Sequence, residues 1–174
     1  DHLRQLAYGE DVREIVTEHE EKSISKEHTF ARDVTDMKVL EGVLLSLIDD
    51  VGGRLRGKGR YAGVIRLKLR WQGFRTITRQ RQLRPPCCDA FSLRKAAMAI
   101  FNDETIDQPV RLIGIGVSGL CDRPPEQLGL FDDSAQIREK REHLSRSVDG
   151  LQEKFGQDAI GRVGLKGEIG KAET

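Results

Sequence analysis

The stretch Ile65-Arg66-Leu67-Lys68-Leu69-Arg70-Trp71 alternates apolar and cationic side chains without a break. On a β-strand, successive side chains point to opposite faces. One face of this strand therefore buries Ile65, Leu67, Leu69 and Trp71, while the other presents Arg66, Lys68 and Arg70 to solvent. Trp71 shares its parity with Leu67 and Leu69, which assigns it to the core rather than to base stacking. The run belongs to a wider segregation of charge. Between Val51 and Cys88 there are eleven arginines and lysines and no aspartate or glutamate, although the whole chain carries a net charge of only +1. A row of cations on a flat sheet complements the repeating charge of a nucleic-acid backbone. A solvated strand face bearing long charged side chains is the plainer alternative.

Working outward from this strand, expected over Ala62 to Trp71, Gln72-Gly73 signals a tight hairpin. A partner strand follows from Phe74 to Leu83 and is broken by Pro85-Pro86. Upstream, Lys22 to Phe30 has strand character, and Thr35 or Asp33 is placed to cap a helix from about Asp36 to Leu55. Leu40, Leu44, Leu47, Ile48, Val51 and Leu55 fall on one face of it, and Gly57 and Gly59 stop it. Downstream, a shorter helix spans Ser92 to Asn102. A last strand, Arg111 to Leu120, alternates Ile113, Ile115 and Val117 with Gly114, Gly116 and Ser118. The order β-α-β-β-α-β predicts an α+β fold, a four-stranded sheet with two helices on one face. The other face is left uncovered and carries Arg66, Lys68 and Arg70. Gly114, Gly116 and Ser118 share it and would permit close backbone approach.

The flanking segments read differently. Residues 1–21 are acidic and loosely patterned, a lead-in or linker with a turn at Gly9-Glu10-Asp11. The chain opens at Asp1 without a methionine, and the expectation is an excised piece of a longer protein. After the core at 22–120, residues 121–132 form a spacer containing Gln127-Leu128-Gly129-Leu130-Phe131. Residues 133–156 predict a helix whose stripe of Ile137, Leu144, Val148, Leu151 and Phe155 is expected to dock on its own domain or on a second copy. Residues 157–174 are glycine-rich and read as a mobile tail.

Other chemistries find little support. Cys87, Cys88 and Cys121 are odd in number and unsuited to a disulfide framework or a metal site, and fit reduced thiols in a cytoplasmic protein. The four histidines are scattered. Asp49-Asp50 and Asp132-Asp133 lack a third carboxylate on a neighbouring strand and do not read as catalytic. No apolar run reaches membrane-spanning length.

Four stretches in order resemble the little-finger domain of Y-family translesion DNA polymerases. Lys22-Ser23-Ile24-Ser25-Lys26-Glu27-His28-Thr29-Phe30 is similar to that domain's opening strand, with Ser25 where glycine is usual. Ile65 to Arg79, ending Thr76-Ile77-Thr78-Arg79, resembles its middle hairpin, and Arg111 to Leu120 its closing strand. Gln127 to Phe131 is similar to the peptide by which bacterial members bind the sliding clamp. The resemblance implies a DNA-binding accessory domain that grips primer–template phosphates without sequence preference and is tethered to the clamp. It implies phosphate contacts from Lys22, Ser23, Ser25 and Lys26 and from Thr78 and Arg79, with Arg66, Lys68, Arg70 and Arg81 beside them. Gln127, Leu128, Leu130 and Phe131 become the clamp ligand. Catalysis would belong to palm-domain carboxylates holding magnesium ions upstream of Asp1, so this stretch binds and does not react, and no cofactor is expected in it. Two other readings stay open. One is a polymerase-like scaffold that has lost those carboxylates. The other is an RNA-recognition module, which would want exposed aromatics where Arg66, Lys68 and Arg70 stand.

Overall fold

In the computed structural model, residues 2–9, 21–122, 134–156 and 159–160 are described. A short helix α1 (His2–Ala7) precedes strand β1 (Ser23–Val34), helix α2 (Met37–Gly57) and the hairpin β2 (Tyr61–Trp71) and β3 (Thr76–Cys87). Helix α3 (Ala90–Asn102), strand β4 (Val110–Cys121) and helix α4 (Ser134–Phe155) complete the order. The four strands form one antiparallel sheet in the order β1-β4-β2-β3. The α+β reading therefore holds, with α2 and α3 packed on one face.

The core is what the alternation demands. Ile65, Leu67, Leu69 and Trp71 of β2 and Ile113, Ile115 and Val117 of β4 are buried under Leu40, Leu44, Ile48, Val51 and Leu55 of α2 and Leu93, Ala97 and Phe101 of α3. Each large aliphatic side chain removed from water contributes on the order of 1.5–3 kcal/mol. Asp36, rather than Thr35 or Asp33, caps α2: its carboxylate accepts from the Lys38 amide at 2.8 Å. Asp89 does the same for α3 through the Ser92 amide, which starts that helix at Ala90, two residues earlier than expected.

Two strand boundaries differ from expectation for local reasons. The β2–β3 connection spans residues 72–75, and Phe74, not a glycine, takes the left-handed conformation with φ of 60°. Its amide donates to the Trp71 carbonyl at 2.9 Å, and the Trp71 amide donates to the Arg75 carbonyl. At its other end β3 runs through Pro85-Pro86 to Cys87, which pairs with Ala62. β3 is an edge strand, so a proline's missing N–H removes no ladder bond on its free side.

Helix α4 docks, but by a different face from the one its apolar stripe suggested. Arg56, whose side chain is 5% exposed, forks onto Asp149 at 2.5 and 2.7 Å and donates to the Cys88 carbonyl at 2.8 Å. Ser145 is buried and accepts from the Ala90 amide, and the Tyr61 hydroxyl donates to Glu142 at 2.7 Å. The Arg141 guanidinium lies 3.9 Å over the Phe91 ring. At 100° per residue, this polar face of Glu142, Ser145 and Asp149 sits about a third of a turn from the stripe. Ile137, Leu144, Leu151 and Phe155 are exposed and Val148 is half-buried. Docking on the chain's own domain through that stripe is thus corrected. A buried guanidinium needs a carboxylate partner, and that requirement fixes which side of α4 turns inward.

Candidate nucleic-acid interface

Directly paired residues of an antiparallel sheet project to the same side, so the register resolves the uncovered face into rows running β1, β4, β2, β3. One row is Ser25, Gly116, Arg66 and Gln80; the next is Glu27, Gly114, Lys68 and Thr78; the third is Thr29, Leu112, Arg70 and Thr76. Ser23 and Ser118 stand opposite each other at the end of the face, level with Val64 and Gln82. Arg66 is exposed, Lys68 and Arg70 half-buried. Among the described residues Arg66 and Arg70 form no ion pair, and Arg70 Nε donates to Thr76 Oγ1 at 2.9 Å. The two arginines stand four residues apart on β2, about 13 Å along a strand, a reach that spans several phosphates of a duplex.

The candidate residues do not all gather on this face. Ser23, Ser25, Arg66, Lys68, Arg70 and Thr78 do. Lys26 lies opposite Ile115 and is therefore on the helix side, where it forms an ion pair with Asp50 of α2. Arg79 lies opposite Leu67 and Arg81 opposite Ile65, again the helix side. Arg79 Nε meets Glu104 at 2.6 Å and Arg81 Nη2 meets Asp103 at 2.9 Å, both acids just beyond α3. Both arginines remain about half exposed because β3 is an edge. Lys22 is exposed ahead of β1. Gln127, Leu128, Leu130 and Phe131 lie outside the described residues.

One member of the face was not foreseen. Glu27 projects from β1 across β4, and both of its carboxylate oxygens accept from Lys68 Nζ at 2.9 Å. A Cβ on Gly114 would fall 2.7 Å from Glu27 Cγ, and one on Gly116 would fall 3.1 Å from Ser25 Cβ. The space over the glycines is thus filled by β1 side chains, not left open for a ligand backbone. The signal was present in the alternation Ser23, Ser25, Glu27, Thr29. The acid-free run is continuous along the chain, whereas this carboxylate reaches it across the sheet.

The remaining polar clusters are structural. Burial raises the Asp49 carboxyl above its usual range, and the Arg94 guanidinium bonded to it pulls the other way. Burial also pushes the Cys87 thiol up to about 12 and that of Cys88 to about 11, so both stay protonated and unreactive near neutrality. Among the described residues no group of three or more His, Cys, Asp or Glu is placed to hold a metal ion, and no helix is long and apolar enough to cross a membrane.

Residues 21–130 match the family model described as the impB/mucB/samB family C-terminal domain. The chain belongs to that family. Relatives agree. It is 36% identical over 164 residues to a protein of Mesorhizobium japonicum named DNA polymerase IV 1, covering 92% of this chain and 36% of that one. It is 31% identical over 159 residues to DNA polymerase IV of Clostridium acetobutylicum, covering 91% and 40%. With DNA polymerase IV of Brucella melitensis it shares 36% identity over 179 residues, covering 99% and 39%. A solved structure described as "Complex of beta-clamp processivity factor and little finger domain of PolIV" matches with a TM-score of 0.48 at 21% identity, over 63% of this chain and 99% of that one. The chain thus spans about two fifths of the length of the relatives it matches, and the family is the one that its motifs suggested.

Proposed function

We propose that this chain is the DNA-gripping module of a translesion polymerase of the DNA polymerase IV type, a cytoplasmic enzyme whose catalytic carboxylates and magnesium ions belong to other parts of the protein. Its role is to hold primer–template DNA by its phosphates while a peptide beyond β4 engages a sliding clamp. The observation that carries the reading is the uncovered sheet face, where Arg66 and Arg70 stand without carboxylate partners among the described residues. Ser23, Ser25 and Thr78 offer hydroxyls beside them. Arg79 and Arg81 form a second rank at the β3 edge, where phosphate must displace Glu104 and Asp103. Lys22 and Lys26 would act from the β1 edge, Lys26 only after leaving Asp50. A catalytically inert scaffold would use the same surface. An RNA-recognition module finds no support on β2, whose aromatic Trp71 is buried.

For the clamp, Leu130 and Phe131 supply hydrophobic anchors, Leu128 covers their edge and Gln127 meets polar groups of the groove. One experiment addresses both contacts. The 174-residue chain is titrated with two duplexes of unrelated sequence at rising salt, and separately with a bacterial clamp. DNA affinity is expected to fall steeply with salt and to match for both sequences. Clamp affinity is expected in the micromolar range. Leu130→Ala with Phe131→Ala should abolish clamp binding and leave DNA affinity within about twofold. Salt-insensitive, sequence-selective binding would contradict the phosphate grip. A double variant that still holds the clamp would contradict the peptide.

A further inference from the structure

The charge balance of the open face turns on Glu27. It is the carboxylate of that face's central row, it lies across Gly114, and it holds the Lys68 ammonium through both oxygens at 2.9 Å. An anion in the middle of a phosphate-binding surface opposes the ligand twice. It repels the incoming phosphate and keeps one of the three β2 cations occupied. A partly exposed pair of this kind is weakly held, since the two side chains remain 31% and 41% open to water. Phosphate can therefore compete for Lys68, but only against a resident carboxylate. Gly114 is part of the arrangement: a methyl group there would sit where Glu27 crosses the strand.

Resting on the phosphate-grip reading above, we propose that Glu27 is a built-in counterion that attenuates the grip, keeping this face weak enough for duplex to move across it. With Glu27 in place, the face binds as if it had two cations rather than three. The neighbouring rows are not attenuated in this way, because Ser25 and Thr29 take the corresponding β1 positions beside Arg66 and Arg70.

The test is duplex DNA affinity of the 174-residue chain, read by fluorescence anisotropy across a salt series, for the wild type, Glu27→Gln, Lys68→Met and the double variant. Glu27→Gln should tighten binding about fivefold at low salt, the effect of removing one nearby like charge in water. It should also steepen the salt slope by about one, the signature of one more cation released to phosphate. In the Lys68→Met background, Glu27→Gln should leave the slope unchanged. Gly114→Ala, which displaces the Glu27 side chain without removing it, should tighten binding in the same direction and guards against an artefact of the glutamine. Wild-type binding that is steeply salt-dependent but equal to or tighter than that of Glu27→Gln would overturn the counterion role and leave the phosphate grip standing. Wild-type binding with no salt dependence would overturn both.

Discussion

The two faces of one sheet treat charge in opposite ways. On the helix side, cations are matched from within the chain: Lys26 by Asp50, Arg79 by Glu104 and Arg81 by Asp103. In the helix layer itself Arg94 is matched by Asp49 and Arg56 by Asp149. On the open side Arg66 and Arg70 have no carboxylate among the described residues, and Glu27 serves Lys68 alone. Both sides carry cations, from β2 on the open face and from β1 and β3 on the helix side, so the difference is not whether cations are present. It reflects where the acids of α2, the α3 end and α4 can reach. A surface that the fold leaves uncompensated is available to an anion from outside, and a surface that is compensated already is not.

The comparison breaks most readily at adjacent residues of β2. Leu67→Ala removes a side chain that is 1% exposed and should cost about 2–5 kcal/mol in urea unfolding, the usual range for emptying a packed core position. Lys68→Ala, one residue along but facing out, should change stability by no more than about 0.5 kcal/mol. Equal losses would mean that the faces are not distinct in the way described. A smaller effect sharpens the account of the compensated side. Asp149→Ala leaves the Arg56 guanidinium without its carboxylate and should cost about 2 kcal/mol, below the figure for a fully enclosed pair because Asp149 is 31% exposed. Faster amide exchange in α4 should accompany it. Unchanged exchange would show that α4 is held by something other than this pair.

Much of the fold was legible because its signals are periodic and local. The leucine series of α2 and the alternations of β2 and β4 each depend on one element meeting one core, and each appears where the pattern placed it. Three features were not legible: one is a local choice of turn residue, and two depend on a partner distant in sequence. Phe74 adopts its unusual turn against Trp71 and Arg75, whereas the neighbouring glycine looked the better candidate. Helix α4 turns its polar side inward because Arg56, 93 residues away, is buried and charged. Glu27 and Lys68, 41 residues apart, meet only because β4 lies between their strands and carries a glycine at the crossing. The candidate site followed the same division. Arg66, Lys68 and Arg70 share a face by alternation alone, but Arg79 could be assigned to the other side only once its register against Leu67 was known.

That last assignment sets up the most direct measurement. Salt-dependent duplex affinity is compared for the wild type, for Arg66→Gln/Lys68→Gln/Arg70→Gln on the open face, and for Arg79→Gln/Arg81→Gln at the β3 edge. The open-face variant is expected to lose more than about tenfold in affinity, with a salt slope shallower by about two, since Glu27 already offsets Lys68. The edge variant should lose less than half as much slope. An edge variant that loses as much as the open-face variant, or more, would place the grip on the β3 margin and contradict the claim that the uncovered sheet face is the phosphate surface.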